Sequence, residues 1–76
     1  MTDDAALTAA TARRLRVLRE ACGFSQTQVA RELGIPQTTL GQWERGVTMI
    51  PHVKVLALLA RYRVDAGEFV AGRIAR

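Results

Sequence analysis

Between Ser25 and Gly46 the chain reads SQTQVARELGIPQTTLGQWERG, with glutamines at positions 26, 28, 37 and 42 and threonines at 27, 38 and 39. An amide places a carbonyl acceptor beside an NH2 donor, and a hydroxyl does both jobs with one atom. Exposed helix positions are more often filled by Lys and Glu, which carry one polarity each. Such a density of amides and hydroxyls suits a surface that reads a pattern of donors and acceptors. Bond-breaking chemistry finds little here. His52 is the one histidine, beside Pro51, and no paired carboxylates, metal-ligand cluster or glycine-rich phosphate loop accompanies it. We expect no catalytic residues, no metal and no cofactor, and a protein that is not an enzyme.

The elements that must hold these groups are helical. From Asp4 to about Cys22, Leu7, Thr11, Leu15, Leu18 and Cys22 recur at intervals of three and four. Asp3 and Asp4 suit the positive end of that helix, which starts there or near Thr8, and Gly23 stops it. Ser25 stands three residues before Gln28, the spacing of a capping box, and opens a second helix through Val29, Ala30 and Leu33 to Gly34. Pro36 suits the first turn of a third helix, Gln37 to Arg45, closed by Gly46. A fourth helix is expected over His52 to Arg63, with Val55, Leu58, Leu59 and Tyr62 inward. Asp65 and Glu68 repeat the capping spacing before a short fifth helix with Phe69 and Val70. The expected fold class is all-α, five helices and no strand.

Only Gly34, Ile35 and Pro36 join the second and third helices, too few to lay them antiparallel, so they must cross steeply. At ~100° per residue from Gln37, Gly41, Arg45, Thr38 and Gln42 fall near 40°, 80°, 100° and 140°, with Leu40 and Trp43 near 300° and 240°. Burying the Leu40 and Trp43 pair therefore turns Gln37, Thr38, Gly41 and Gln42 outward. The major groove of DNA asks for this chemistry. Adenine offers an acceptor at N7 and a donor at N6, which one Gln amide meets together, at ~1–3 kcal/mol of discrimination. Thr38 can bond a base or set its methyl against thymine. Gly41 either lets the backbone approach closely or is simply a tolerated small residue.

These residues also resemble a known family. LRVLREACGFSQTQVARELGIPQTTLGQWERG, with its LR-x-LR, Gly23 with Phe24, SQ, Ala30, LG and WERG, is similar to the phage repressor and Cro (XRE-like) helix-turn-helix proteins. The likeness runs over roughly residues 11 to 70. It implies a compact five-helix, lambda-repressor-like domain over residues 11–72, with the helix-turn-helix at 25–46 and a recognition helix at 37–45. Residues 1–10 are then an N-terminal arm or an extension of the first helix. By the same resemblance, Gln37, Thr38 and Gln42 contact bases, Gln26 and Arg45 contact phosphates, and the protein binds a palindromic operator as a symmetric homodimer. Arg19, which reads at first as another phosphate ligand, matches a position that forms a structural ion pair with Glu44. Trp43 reads as core.

The chain departs from the pattern at Pro36, where relatives carry a Ser or Thr cap, and in the loop after Gly46, which reads VTMIP where relatives are often basic. That loop leaves Thr48 and backbone N–H groups for phosphate contact. Val47, Met49 and Ile50 then either meet a second subunit or, for Ile50, enter the monomer core. Phe69, Val70 and Ile74 are an equal candidate for the dimer contact. Arg13, Arg14 and Arg16 are a solvated helix face or direct DNA contacts.

Composition agrees with a polyanionic partner. The chain carries +4 overall, and ten of its eleven cations are Arg, the residue suited to bidentate phosphate contact. Its 76 residues make one small domain, with 49% hydrophobic and 5% aromatic residues, so Ala, Leu and Val carry the packing. One cysteine, Cys22, fits a reducing compartment and reads as a buried inert thiol. The acidic MTDD start lacks the charge of a secretory signal, and VLALLA is too short to span a bilayer, so a cytoplasmic location without membrane contact is expected. The expectation is a sequence-specific DNA-binding transcriptional regulator, a repressor acting on double-stranded DNA. Against it stands a protein-interaction module, such as the antitoxin of a toxin–antitoxin pair, or a restriction–modification controller. Those alternatives add a toxin or RNA polymerase as a further protein partner.

Overall fold

The computed structural model describes residues 4–70, and side chains from Thr8 to Phe69. Five helices follow in order: α1 Asp4–Ala21, α2 Gln26–Leu33, α3 Gln37–Glu44, α4 His52–Arg61 and α5 Ala66–Val70. No strand occurs among the described residues. The expectations for Asp3, Ile74 and the Leu7 and Val70 side chains fall outside them.

Each helix contributes its apolar stripe to one core. Leu15 and Leu18 come from α1, Val29 and Ala30 from α2, Leu40 and Trp43 from α3, Leu58 and Leu59 from α4, and Phe69 from α5, with Tyr62 just past α4. The third helix packs on both α1 and α2, which fixes its rotation about its own axis. Ile50 is partly buried against this core, whereas Val47 and Met49 stay exposed. No described helix is long and apolar enough to cross a membrane.

Helix ends follow local chemistry. Ser25 accepts a hydrogen bond from the Gln28 N–H at 3.0 Å, capping α2. The reciprocal arm of the capping box is not made among the described residues, because the Gln28 side chain turns toward Glu32. Asp65 Oδ1 likewise accepts from the Glu68 N–H at 3.0 Å. Pro36 and Pro51 sit one residue earlier than the first helical turn, as N-caps in extended conformation, since neither has a side chain able to cap.

The fourth helix ends two residues before the expected Arg63. Val64 N–H closes back on Leu59 C=O at 2.9 Å, a bond that forces Arg63 into the left-handed region at φ 59°. The same closure ends α2, where Ile35 N–H reaches Ala30 C=O and glycine, Gly34, takes φ 70° without a Cβ penalty. Arg63 carries that penalty. Arg63→Gly is therefore expected to stabilise the domain by about 0.5–1 kcal/mol, read as a higher denaturation midpoint at unchanged m-value.

Two arginines leave the roles the sequence offered. Arg14, expected as part of a solvated face or a DNA contact, is half-buried with its guanidinium carbon 3.9 Å from the Phe69 ring centre. It joins α1 to α5 by a cation–π contact. Arg61 lies 4.0 Å from the Phe24 ring centre and pairs with Glu32 at 2.6 Å, clamping α4 to α2. That bond holds the Glu32 carboxyl below the usual carboxylate range. Cys22 corrects another expectation. It is exposed, because α1 stops at Ala21 and the turn through Gly23 carries the thiol outward, with Sγ 3.8 Å from the Tyr62 carbonyl.

Candidate nucleic-acid interface

The packing of α3 decides what it shows. Leu40 is fully buried and Trp43 is 6% exposed, both inside the core. Gln37, Thr38 and Gln42 lie on the other side, all exposed. Together with Gly41, Arg45 and Gln26 they line one shallow polar cleft across the start of α2 and the length of α3. Five of the six residues expected to touch a nucleic acid thus share a continuous surface. The sixth, Thr48, is exposed in the loop after α3 and is not part of that cleft.

Beneath the cleft lies a polar joint. The Glu44 carboxylate, with a side chain 1% exposed, accepts from Arg19 Nε at 2.8 Å. It also accepts from Arg19 Nη2 at 3.1 Å and from Gln26 Nε2 at 2.9 Å. Arg19 completes its own bonding by donating to the Phe24 carbonyl at 2.7 Å. The hydrogen bond from Glu44 raises the Arg19 pKa further above its ordinary value, against the opposing effect of burial. So α1, the turn before α2, the first residue of α2 and the last of α3 are tied at one point. Gln26 spends one N–H on this joint and keeps the other, with its carbonyl, for the surface.

Gln37 is oriented by a residue that sequence reasoning did not single out. Thr27 Oγ1 donates to Gln37 Oε1 at 3.0 Å, from α2 across to α3. This fixes which end of the amide is the donor end and leaves both N–H groups and one carbonyl lone pair for a ligand. No spacing rule announces the pair, since ten residues separate its members and only the crossing of α2 over α3 joins them. Thr39, by contrast, is half-buried and turned away from the cleft.

Away from these residues, an apolar groove runs between α4, α5 and the start of α1. It is lined by Thr8, Thr11, Met49, Ile50, Val55, Leu56, Leu59 and Phe69, among others, and shares none of its lining with the polar cleft. Met49 and Leu56 are exposed at its edge.

Comparison with known proteins adds the following. The family described as helix-turn-helix domain matches the chain over residues 10–71. No curated protein and no solved structure matches it. The match covers α2 and α3, their three-residue connection and the helices that brace them, and so the chain belongs to the helix-turn-helix domain family, a family of DNA-binding proteins.

Proposed function

We propose that this protein is a sequence-specific transcriptional regulator, a repressor that binds a palindromic operator as a homodimer by inserting α3 into the major groove. The observation that carries the reading is the single polar cleft in which Gln37, Thr38 and Gln42 face outward while Leu40 and Trp43 anchor the same helix. Gln37 and Gln42 suit adenine edges, and Thr38 suits a base acceptor or a thymine methyl. The free N–H of Gln26, at the N-terminus of α2, suits a backbone phosphate, as does Thr48 from its loop. The apolar groove beside α4 and α5 offers a surface for the second subunit, which would set the two copies of α3 about one helical turn, ~34 Å, apart on the duplex.

A phage-type regulator of this kind acts by occupancy: bound at its operator, it excludes polymerase. Gln37→Ala, Thr38→Ala and Gln42→Ala are each expected to weaken binding to the selected site by ~1–3 kcal/mol while leaving binding to unrelated duplex unchanged. Fluorescence anisotropy on the two duplexes at one salt concentration reads both numbers.

One observation favours a second reading. The same apolar groove, with Met49, Val53 and Leu56 exposed around it, suits a protein partner, as in an antitoxin holding its toxin. In that case the three alanine variants keep full partner affinity and no duplex is preferred over another.

A further inference from the structure

The family resemblance assigns Arg45 to the sugar–phosphate backbone beyond the end of the recognition helix. Its guanidinium lies elsewhere. Gly41 sits on the outer side of α3 and yet is buried, and its cover is made of two side chains. A Cβ on Gly41 would stand 3.3 Å from Arg45 Nη1 and 3.7 Å from Gln26 Oε1. Helix side chains lean toward the N-terminus, and from its C-cap position Arg45 follows that lean back over one turn, ~6 Å of rise. Around the helix Arg45 and Gly41 fall near 80° and 40°, about the middle of the sector that Gln37 and Gln42 bound.

That position matters for what the group meets. When a helix enters a major groove, phosphates run along the rims and base edges form the floor. A group at the middle of the inserted face meets the floor. Among the described residues Arg16, Arg19 and Arg61 pair with carboxylates and Arg45 does not, so its planar fork of donors is unspent. The base edge that matches such a fork is guanine, with acceptors at O6 and N7.

We propose that Arg45, laid back across Gly41, reads a guanine in each half-site, next to the base pairs read by the glutamines. The proposal rests on the groove-reading function above and deepens it. Gly41 becomes a specificity-determining residue, because a Cβ there is closer to Nη1 than ordinary contact and lifts the guanidinium off its path.

The test begins with the consensus that wild type selects from random duplexes. Each position is then varied through all four base pairs, and wild type, Arg45→Ala and Gly41→Ala are titrated by anisotropy at several salt concentrations. One consensus position is expected to be guanine, with replacement costing wild type roughly 5- to 150-fold in affinity. Arg45→Ala loses that preference alone, keeps those at the glutamine positions and keeps the wild-type salt slope. Gly41→Ala melts at a higher temperature than wild type, since Ala is the better helix former, yet discriminates less at that same position. Its weaker discrimination is thereby separated from any loss of folding. The proposal is overturned if Arg45→Ala weakens every duplex alike with a salt slope shallower by ~0.9, the mark of a phosphate contact. It is equally overturned if the guanine preference survives in Arg45→Ala. A wild-type pool with no consensus at all sinks the groove-reading function itself, an outcome distinct from both.

Discussion

Glu44→Gln is expected to destabilise the domain by about 3–5 kcal/mol, the cost of breaking a buried ion pair on one side only. The carboxylate is nearly inaccessible and accepts three hydrogen bonds, two from Arg19 and one from Gln26. An amide in its place keeps one acceptor and turns an NH2 toward a guanidinium that cannot shed its charge. Arg19 is left charged, largely buried and held only by the Phe24 carbonyl. Domains of this size hold ~5–15 kcal/mol in all, so the loss is a large share of the total. A fall in melting temperature of more than ~10 °C is the expected reading. Replacing both partners by Met should recover most of the loss, since two apolar groups of similar length leave no stranded charge. A Glu44→Gln protein within ~1 kcal/mol of wild type would show that the joint is not under this electrostatic constraint.

Leu40→Ala is the second large effect, at about 2–5 kcal/mol. Leu40 is fully buried where α3 meets α1 and α2, so truncation removes its transfer free energy and leaves a void that close-packed neighbours fill only in part. The chain's one tryptophan, Trp43, is in the same cluster, and its fluorescence follows unfolding at the place where the cavity forms. Thr39→Ala, next door but only half-buried, is expected to change stability by less than ~1 kcal/mol and serves as the comparison. The contrast between neighbours is the point. One face of α3 holds the domain together, and the other is free to be chosen for what it touches.

That division is why so much of the molecule was legible in the sequence. The helix order and the inward placement of Leu40, Trp43, Leu58 and Phe69 follow from a period of 3.6 and from Ser25 and Gly34 as local end signals. Where the chain departed from expectation, the deciding contacts were distant in sequence. Arg14 and Arg61 read as charges on a solvated surface, and only the approach of Phe69 and Phe24 shows them as aromatic partners. Cys22 fits the apolar line of α1 by spacing but falls one residue past its end, where the line no longer applies. Arg63 fits the period of α4, yet the chain turns there because Val64 closes onto Leu59. Within the cleft, the outward direction of the glutamines was readable from angles alone. The settings of Thr27 on Gln37 and of Arg45 over Gly41 were not, since both depend on where neighbouring side chains stand.

The central claim is that the outward face of α3 selects base pairs. Its most direct test is selection from a pool of randomised duplexes, run side by side with wild type and with a Gln37→Ala/Thr38→Ala/Gln42→Ala variant shown by melting to be folded. Wild type is expected to yield a two-fold symmetric consensus with A·T pairs in each half-site and half-site centres ~34 Å apart, and the variant to yield none. Equal enrichment of the same sequence by both proteins, or no enrichment by wild type, would contradict it.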